Sequence, residues 1–202
     1  ESSTISFGDT LVIHSKKIAK GVHLHVTISS RGVGATLEGN FELFGDEDND
    51  DGGKTKVSLT LANLNISAAG GNCFYVKHFV TIYASNCYMF YTGPLECCGM
   101  ANFDCAAYFE SCLFQGFTGN DQSQEPGVTG DCSGNTGGCF RLFSGAFVRL
   151  SGCTIVDCDG ACNGGALWLR EGGTTAALDH CKISNCEATT SATLSIGGAV
   201  YV

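Results

Sequence analysis

The sequence predicts an all-β fold of the parallel β-solenoid class, and two observations lead to it. Five segments share one pattern of apolar residues, and their starts lie 23, 25, 41 and 28 residues apart. Paired glycines recur between these segments, and each pair precedes a short apolar stretch. A unit of about 23 to 28 residues cannot bury its apolar side alone, so successive units must stack on one another.

Each repeat begins with two short strands joined by a bend, because its apolar positions are spaced by two, two, three and two. Residues that share a position should stack about 4.8 Å apart inside the solenoid. The five aligned columns are Val57, Val80, Cys105, Ala146 and Thr174; Leu59, Ile82, Ala107, Val148 and Ala176; Leu61, Ala84, Phe109, Leu150 and Leu178; Leu64, Cys87, Cys112, Cys153 and Cys181; and Ile66, Met89, Phe114, Ile155 and Ile183.

A third strand follows each glycine pair, because paired glycines permit backbone turns that side chains forbid. The pairs are Gly70-Gly71, Gly137-Gly138, Gly164-Gly165 and Gly197-Gly198. A β-sandwich with Greek-key pairing is the alternative, since it also uses short strands and glycine-rich turns. The aligned columns favour the solenoid.

The chain divides into a less regular first part and a repeat region. Residues 1–56 are expected to form the first coils or a cap, with an acidic loop at residues 46–53. Residues 57–202 carry the repeats, interrupted by an inserted loop at about residues 116–136. That stretch is rich in Gly, Asp, Ser and Thr, which is typical of a loop.

Composition narrows the class of function. A net charge of −9 argues against nucleic acid and against an anionic membrane surface as partners. No run of about 18 apolar residues is present, so no membrane-spanning helix is expected. Thirteen cysteines predict an oxidising compartment, hence an extracellular or cell-surface location, and their odd number leaves at least one without an intrachain partner.

Two of the repeats resemble those of known surface proteins. Cys153-Thr154-Ile155 followed by Gly164-Gly165-Ala166-Leu167, and Cys181-Lys182-Ile183 followed by Gly197-Gly198-Ala199-Val200, are similar to repeats of right-handed parallel β-helix proteins. The resemblance is to the pectin-lyase-like and polymorphic outer-membrane protein repeats, and it covers roughly Val57 to Val202. It implies a secreted or surface-displayed right-handed β-helix, used mostly for adhesion or structure and sometimes for polysaccharide cleavage.

Four cysteines form two pairs in equivalent positions of consecutive coils. Cys153 aligns with Cys181, and Cys158 aligns with Cys186. Stacked coils bring such residues within the Cα separation that a disulfide tolerates. Disulfides between coils are therefore expected for some pairs, and a reduced ladder that packs as small apolar side chains is the alternative. The spacing, without nearby pairs of His, does not favour zinc.

One residue in each third strand is expected to point outward between two inward ones. These residues are Tyr75, Arg141, Trp168 and Tyr201. In three successive coils they predict an exposed column of arginine and aromatic side chains. Such a column suits a partner contact or a sugar-stacking platform, with cation–π support from the arginine. The alternative is that a loop or a neighbouring domain covers it.

Other candidate sites are weaker. Asp159 aligns with Glu187, and carboxylates about 5 Å apart suit a retaining glycosidase, but the sequence offers no second acid-base constellation. The triplet Asn65-Ile66-Ser67 has the form of an N-glycosylation acceptor.

The acidic loop invites a calcium interpretation, with ligands at Asp46, Asp48 and Asp50. It departs from the EF-hand pattern, because Asp51 stands at position six where that loop has Gly, and Val57 at position twelve where it has Glu. A solvated acidic loop is therefore the favoured interpretation, calcium is the alternative, and no other cofactor is expected.

The leading hypothesis is a non-enzymatic extracellular module with a structural or adhesive role, which self-associates end to end into a filament or forms part of a longer surface protein. A terminal coil exposes unpaired strand edges that must be capped or paired. The alternatives are a polysaccharide-active β-helix, a lyase or a glycosidase, that uses Asp159 and Glu187, and a glycan-binding module that uses Trp168 and Tyr201.

Overall fold

The computed structural model describes residues 4–14, 23–31, 35–45, 56–68, 73–91, 99–102, 105–118, 138–160, 164–188 and 199–202. These residues form twenty β-strands and no helix. Accordingly, the described part of the chain has no helix that is long and apolar enough to cross a membrane.

The strands follow one another in short pieces along the chain. The first are β1 (Thr4–His14), β2 (His23–Ser29), β3 (Ala35–Phe44), β4 (Lys56–Ala62), β5 (Leu64–Ala68), β6 (Phe74–Lys77) and β7 (Val80–Ser85). The next are β8 (Tyr88–Tyr91), β9 (Gly99–Asn102), β10 (Ala106–Glu110), β11 (Leu113–Gln115), β12 (Phe140–Phe143), β13 (Phe147–Ser151) and β14 (Thr154–Val156). The last are β15 (Asp159–Gly160), β16 (Leu167–Arg170), β17 (Thr175–Asp179), β18 (Lys182–Ser184), β19 (Glu187–Ala188) and β20 (Val200–Tyr201).

The strands stack in three parallel ladders. Ladder 1 is a six-stranded sheet in the order β2-β4-β7-β10-β13-β17. Ladder 2, β5-β8-β11-β14-β18, and ladder 3, β6-β9-β12-β16-β20, belong to one twelve-stranded sheet and are joined through β3. Each repeat enters ladders 1, 2 and 3 in that order, and we call its three strands a rung. A small additional sheet pairs β15 with β19.

The joining strand β3 serves two ladders at once. Its first half, Ala35–Glu38, pairs with β5, and its second half, Phe41–Phe44, pairs with β6. Strand β1 runs parallel to β3 on its other side, and β2 pairs with β4 in ladder 1. The described residues before position 56 therefore continue the stacking of the repeats.

The predicted columns agree with the observed register. In ladder 1, Leu61 pairs with Ala84, Ala84 with Phe109, Phe109 with Leu150, and Leu150 with Leu178. In ladder 2, the column from Ile66 to Ile183 is reproduced in the same way. A Greek-key sandwich requires antiparallel neighbours, and none occurs among the described strands. The coarse prediction of an all-β fold with parallel strands is confirmed.

The predicted bend between the first two strands of a repeat is also confirmed. One residue at this point adopts a left-handed backbone with φ between 51° and 60°, in five successive repeats: Asn63, Asn86, Ser111, Gly152 and His180. Asparagine tolerates this conformation better than most residues. Asn86 Nδ2 also donates a hydrogen bond to Asn63 Oδ1 at 3.4 Å, so neighbouring bends are linked.

The inward side chains form one apolar core that runs through the rungs. A chain of phenylalanine rings lies within it: Phe41 contacts Phe74 with ring centroids 5.4 Å apart, Phe74 contacts Phe109 at 6.2 Å, and Phe109 contacts Phe140 at 5.5 Å. Phenylalanines from different ladders and rungs thus contact one another across the inside of the stack, which is how short strands obtain a continuous core.

Glycine is required before β16 for two separate reasons. Gly164 has a left-handed φ of +56°. A Cβ on Gly165 would collide with the backbone of Glu187, and one on Gly138 would collide with the backbone of Gly165 and Asp159. The paired glycines therefore allow rungs to approach closely as well as to turn. The predicted pairs Gly70-Gly71 and Gly197-Gly198 lie outside the described residues.

The predicted insertion falls mostly outside the described residues, which leave out 119–137. Its first residues, however, still pair with the next rung. The Gly116 amide donates to the Val156 carbonyl at 3.2 Å, and the Asp159 amide donates to the Phe117 carbonyl at 2.9 Å. Phe117 is fully buried. The stacked structure therefore extends to Thr118.

Candidate functional site

The predicted arginine–aromatic column exists as a register. Arg141 pairs with Trp168, and Trp168 pairs with Tyr201, on neighbouring strands of ladder 3. Tyr75 lies in the same column, separated from Arg141 by Met100. The Arg141 guanidinium carbon lies 5.3 Å from the centroid of the Trp168 ring, which is a cation–π distance. The sequence thus placed these residues together correctly.

The exposure expected for this column is wrong at its centre. Trp168 is only 4% exposed. Phe143 packs against the ring edge-on with centroids 4.9 Å apart, and the Arg170 guanidinium carbon lies 5.9 Å from the ring centroid. Trp168 Nε1 has no hydrogen-bond partner within the part of the chain that the structure describes. Neighbouring side chains therefore cover the face on which a sugar would stack. The Tyr201 side chain is not among those that the structure describes.

The described cysteines are in the thiol form and not in disulfides: Cys73, Cys87, Cys105, Cys112, Cys139, Cys153, Cys158, Cys181 and Cys186. Six of them form two groups in which thiols lie close enough to affect one another's pKa. In one group Cys112 lies between Cys87 and Cys153. In the other, Cys158 lies between Cys139 and Cys186. The predicted Cys153–Cys181 and Cys158–Cys186 disulfides stay predictions.

Within each group the thiols affect one another's pKa in opposite directions. The hydrogen bond from Cys112 lowers the pKa of Cys153 to about 7, while the contacts with Cys153 and Cys87 raise the pKa of Cys112. Hydrogen bonds from Cys139 and Cys186 lower the pKa of Cys158, and the contact with Cys158 raises that of Cys186. In the first group the central thiol, Cys112, therefore holds its proton most tightly, whereas in the second group the central thiol, Cys158, is the one whose pKa is lowered.

The predicted carboxylate pair is also in register, because Asp159 of β15 pairs with Glu187 of β19. Beside it runs a chain of polar side chains. Tyr88 donates to Gln115 Oε1 at 2.7 Å, Gln115 Nε2 donates to Asp157 Oδ2 at 3.2 Å, and Asn185 Nδ2 donates to Asp157 Oδ1 at 3.2 Å. This chain links four rungs. A catalytic role for Asp159 and Glu187 stays a prediction.

The remaining predicted sites are placed only in part. Asn65 is half-buried on β5, between Thr36 of β3 and Tyr88 of β8, and its glycosylation stays a prediction. The calcium candidates Asp46, Asp48 and Asp50 lie outside the described residues. Among the residues that are described, no cluster of three or more His, Cys, Asp or Glu side chains could hold a metal ion.

Two histidines and a serine form a cluster that the sequence analysis missed. The Ser58 hydroxyl lies 2.6 Å from His25 Nδ1 and 3.0 Å from His23 Nε2. Ser58 itself is buried, whereas both histidines are exposed. The two rings cover the hydroxyl, so the cluster holds β2 against β4 and does not present a nucleophile. The alternating His-Leu-His of β2 was its only signal in the sequence.

A groove on the outer face of ladder 1 was missed as well. It has a volume of about 420 Å³ and is lined by residues of β4, β7, β10 and β13. Tyr83 and Tyr108 lie along it, with ring centroids 5.1 Å apart and planes at 11°. The sequence carried a partial signal, because these residues fall between the inward columns of the first strand, but spacing alone does not show that they line a groove.

Comparison with protein-family models, with curated proteins and with solved structures gave no match to this chain. A functional assignment therefore depends on the geometry of the chain itself.

Proposed function

We propose that this chain is a right-handed parallel β-helix with a structural or adhesive role. One observation supports it above others: successive repeats enter three parallel ladders in the same order and in register. A chain that winds in this way around one core forms a stiff rod. Right-handedness is the expected sense, because crossover connections between parallel strands are right-handed in about 98% of cases.

An extracellular or cell-surface location is part of the proposal. Thirteen cysteines in 202 residues are typical of a chain made for an oxidising compartment. In the structure, thiols of neighbouring rungs contact one another at two places along the stack. Oxidation there would join rungs without a large movement of the backbone.

Self-association through a strand edge is the mode of assembly that we propose. In the last described rung, Leu178 is 45% exposed and Val200 is 40% exposed, although both continue apolar columns. β17, β18 and β20 each pair on one side only among the described strands. A parallel strand of a second copy would bury these side chains. Such head-to-tail contacts generate filaments when they do not close; a further rung of a longer chain would satisfy the same edges.

The test is the assembly state of a charge variant. Leu178→Lys places a charge in the proposed contact, and Ala177→Lys adds the same charge to the same strand at an outward position. We expect regular filaments of the unaltered chain in electron micrographs, their loss in Leu178→Lys, and their retention in Ala177→Lys. A chain that stays monomeric in analytical ultracentrifugation at high concentration would contradict the assembly.

A polysaccharide-cleaving enzyme is the second candidate, and the in-register Asp159 and Glu187 favour it. Neighbouring strands lie about 4.8 Å apart, a spacing compatible with the carboxyl separation of about 5 Å found in retaining glycosidases. Assays on pectin, alginate and neutral glycans decide between the two roles. Turnover that Asp159→Asn abolishes and Asp157→Asn leaves intact would replace the structural assignment. No turnover on any of these glycans would rule out this candidate.

A further inference from the structure

Four cysteines form a column through four successive rungs, which we call the thiol column. Cys87, Cys112, Cys153 and Cys181 each stand directly before a strand of ladder 2, and those strands pair in register. In each later rung, the amide of the residue after the cysteine donates to the carbonyl of the cysteine in the preceding rung at 2.9 Å. Neighbouring cysteines are thus one strand spacing apart, about 4.8 Å, which lies within the Cα separation that a disulfide tolerates.

The four thiols leave the backbone in the same direction. Each follows a bend residue with a left-handed φ, and each Sγ lies 3.3–3.4 Å from the carbonyl oxygen two residues before it. The Sγ atoms of Cys112, Cys153 and Cys181 also lie 3.3–3.6 Å from a carbonyl oxygen of the preceding rung. Because this geometry repeats, the sulfur atoms follow one line along the stack.

The described part of the thiol column can be reached from solvent at one end. Cys87 and Cys112 are each 2% exposed and Cys153 is 1% exposed, whereas Cys181 is partly exposed. At the other end, the buried Leu64 takes the position before Cys87. An oxidant in solution therefore meets Cys181 first, and the buried thiols meet only a neighbouring sulfur.

A straight row of sulfur atoms suits thiol–disulfide exchange. In this reaction a thiolate attacks one sulfur of a disulfide and displaces the other, so the three sulfur atoms must be nearly in line. Any three successive cysteines of the thiol column meet that requirement. The contact with Cys112 lowers the pKa of Cys153 to about 7, so near neutral pH part of this thiol is in the attacking form.

We propose that the thiol column passes oxidation inward by thiol–disulfide exchange, with Cys181 as the entry point and a Cys87–Cys112 disulfide as the product. The oxidant is a small soluble disulfide such as oxidised glutathione. A Cys153–Cys181 disulfide is then an intermediate. This role goes beyond a structural or adhesive one, and it does not depend on filament assembly.

Each step breaks one S–S bond and forms another. The Cys181 thiolate attacks the small disulfide and releases one reduced molecule, and the Cys153 thiolate then attacks Cys181 Sγ and releases the second. Cys112 next attacks Cys153 Sγ and releases Cys181. Finally, Cys87 attacks Cys112 Sγ and releases Cys153, which its lowered pKa makes a good leaving thiol. In sum, one small disulfide becomes two thiols, Cys87 and Cys112 are oxidised, and their two protons end on the released molecules.

The experiment is a time course of oxidation of the dilute, fully reduced chain by oxidised glutathione. Samples are quenched with acid, unfolded, alkylated and digested at aromatic and acidic residues, and mass spectrometry then identifies the disulfides. We expect a Cys87–Cys112 disulfide to accumulate. Cys181→Ser should slow its formation by about tenfold or more, because the remaining thiols of the column are buried.

The matched control is Cys186→Ser, which removes the other partly exposed cysteine of the same rung and should leave the Cys87–Cys112 rate unchanged. Equal rates in Cys181→Ser and Cys186→Ser would overturn the proposal. An unaltered chain in which oxidation stops at Cys181 or at Cys153–Cys181, with Cys87 and Cys112 still reduced, would overturn it as well.

A second pair of variants interrupts the thiol column in its middle. Cys153→Ala should hold glutathione on Cys181 and prevent the Cys87–Cys112 disulfide. Cys105→Ala removes an equally buried cysteine that lies outside the column, and it should change neither outcome. Thermal unfolding checks that every variant folds. Where Cys153→Ala does not fold, the Cys181→Ser and Cys186→Ser pair decides the matter.

Discussion

Leu150 and Leu178 occupy the same column of ladder 1 in neighbouring rungs, and their surroundings differ sharply. Leu150 has a strand on each side and is fully buried, whereas Leu178 has one described neighbour and is 45% exposed. The same contrast separates Ile155 from Ile183 in ladder 2. Burial in this architecture therefore follows from having a rung on both sides, and residue type alone does not provide it.

The largest expected effect is the difference in the free energy of unfolding between alanine variants at these two positions. Leu150→Ala is expected to lower the free energy of unfolding by about 2–5 kcal/mol, because it leaves a cavity between two rungs. Leu178→Ala should lower the free energy of unfolding by less than about 1 kcal/mol when the protein is in dilute solution. Urea denaturation measures both. Equal losses at low concentration would show that the last described rung is covered by something else.

Two glycines with different surroundings, Gly165 and Gly172, give the next contrast. Gly165→Ala forces a Cβ against the Glu187 backbone, and a loss of about 1–3 kcal/mol is expected. Gly172 has open space around its Cα, so Gly172→Ala should change the free energy of unfolding by less than about 0.5 kcal/mol. Thermal unfolding of the two variants is the measurement. A neutral Gly165→Ala would mean that rungs do not approach as closely as described.

The bend residues should respond to backbone conformation. Asn86 has a φ of 51°, so Asn86→Ala should cost about 1 kcal/mol or more in the free energy of unfolding. Asn86→Gly relieves the backbone strain and should recover part of that loss, although it also removes the hydrogen bond to Asn63. The order Asn, then Gly, then Ala in stability is the expected result. An alanine variant as stable as the glycine variant would contradict a left-handed bend.

The smallest effect concerns thiol reactivity. Cys112 is almost fully buried, whereas Cys181 and Cys186 are partly exposed. In reduced protein, iodoacetamide should therefore modify Cys181 first among the described cysteines, ahead of Cys186, whose pKa is raised by its contact with Cys158, as mass spectrometry of the digested chain would show. If Cys181 and Cys186 resist labelling until a reductant is added, they are bridged. Peptide mapping without reductant then tests the Cys153–Cys181 and Cys158–Cys186 pairs directly.

The inward residues could be predicted because their spacing is visible in one dimension. A step of two marks a strand and a step of three marks a bend, so the column from Ile66 to Ile183 followed directly from alignment. The left-handed residues Asn63 and Asn86 fell at the step of three. Pairing in register then fixed the neighbours of Asp159 and of Trp168.

The exposure of the outward residues was harder to predict from the sequence, because it depends on neighbouring side chains that come from other rungs or other parts of the strand. Trp168 was expected to be exposed from alternation alone, yet Phe143 and Arg170 pack on it. Tyr83 and Tyr108 obey the same alternation and do remain exposed. Nothing in the spacing distinguishes these cases. The close approach at Gly165 was hidden for the same reason, since it depends on the backbone of Glu187.

Strand β3 has a mechanical consequence. It pairs with β5 through one half and with β6 through the other, without a break in the extended backbone. In the rung of β13, by contrast, ladders 2 and 3 are entered by two separate strands, β14 and β16, with β15 between them. A load that pulls ladder 2 away from ladder 3 acts at β3 on one extended strand, which cannot lengthen much further. The rung of β3 should therefore yield little to such a load.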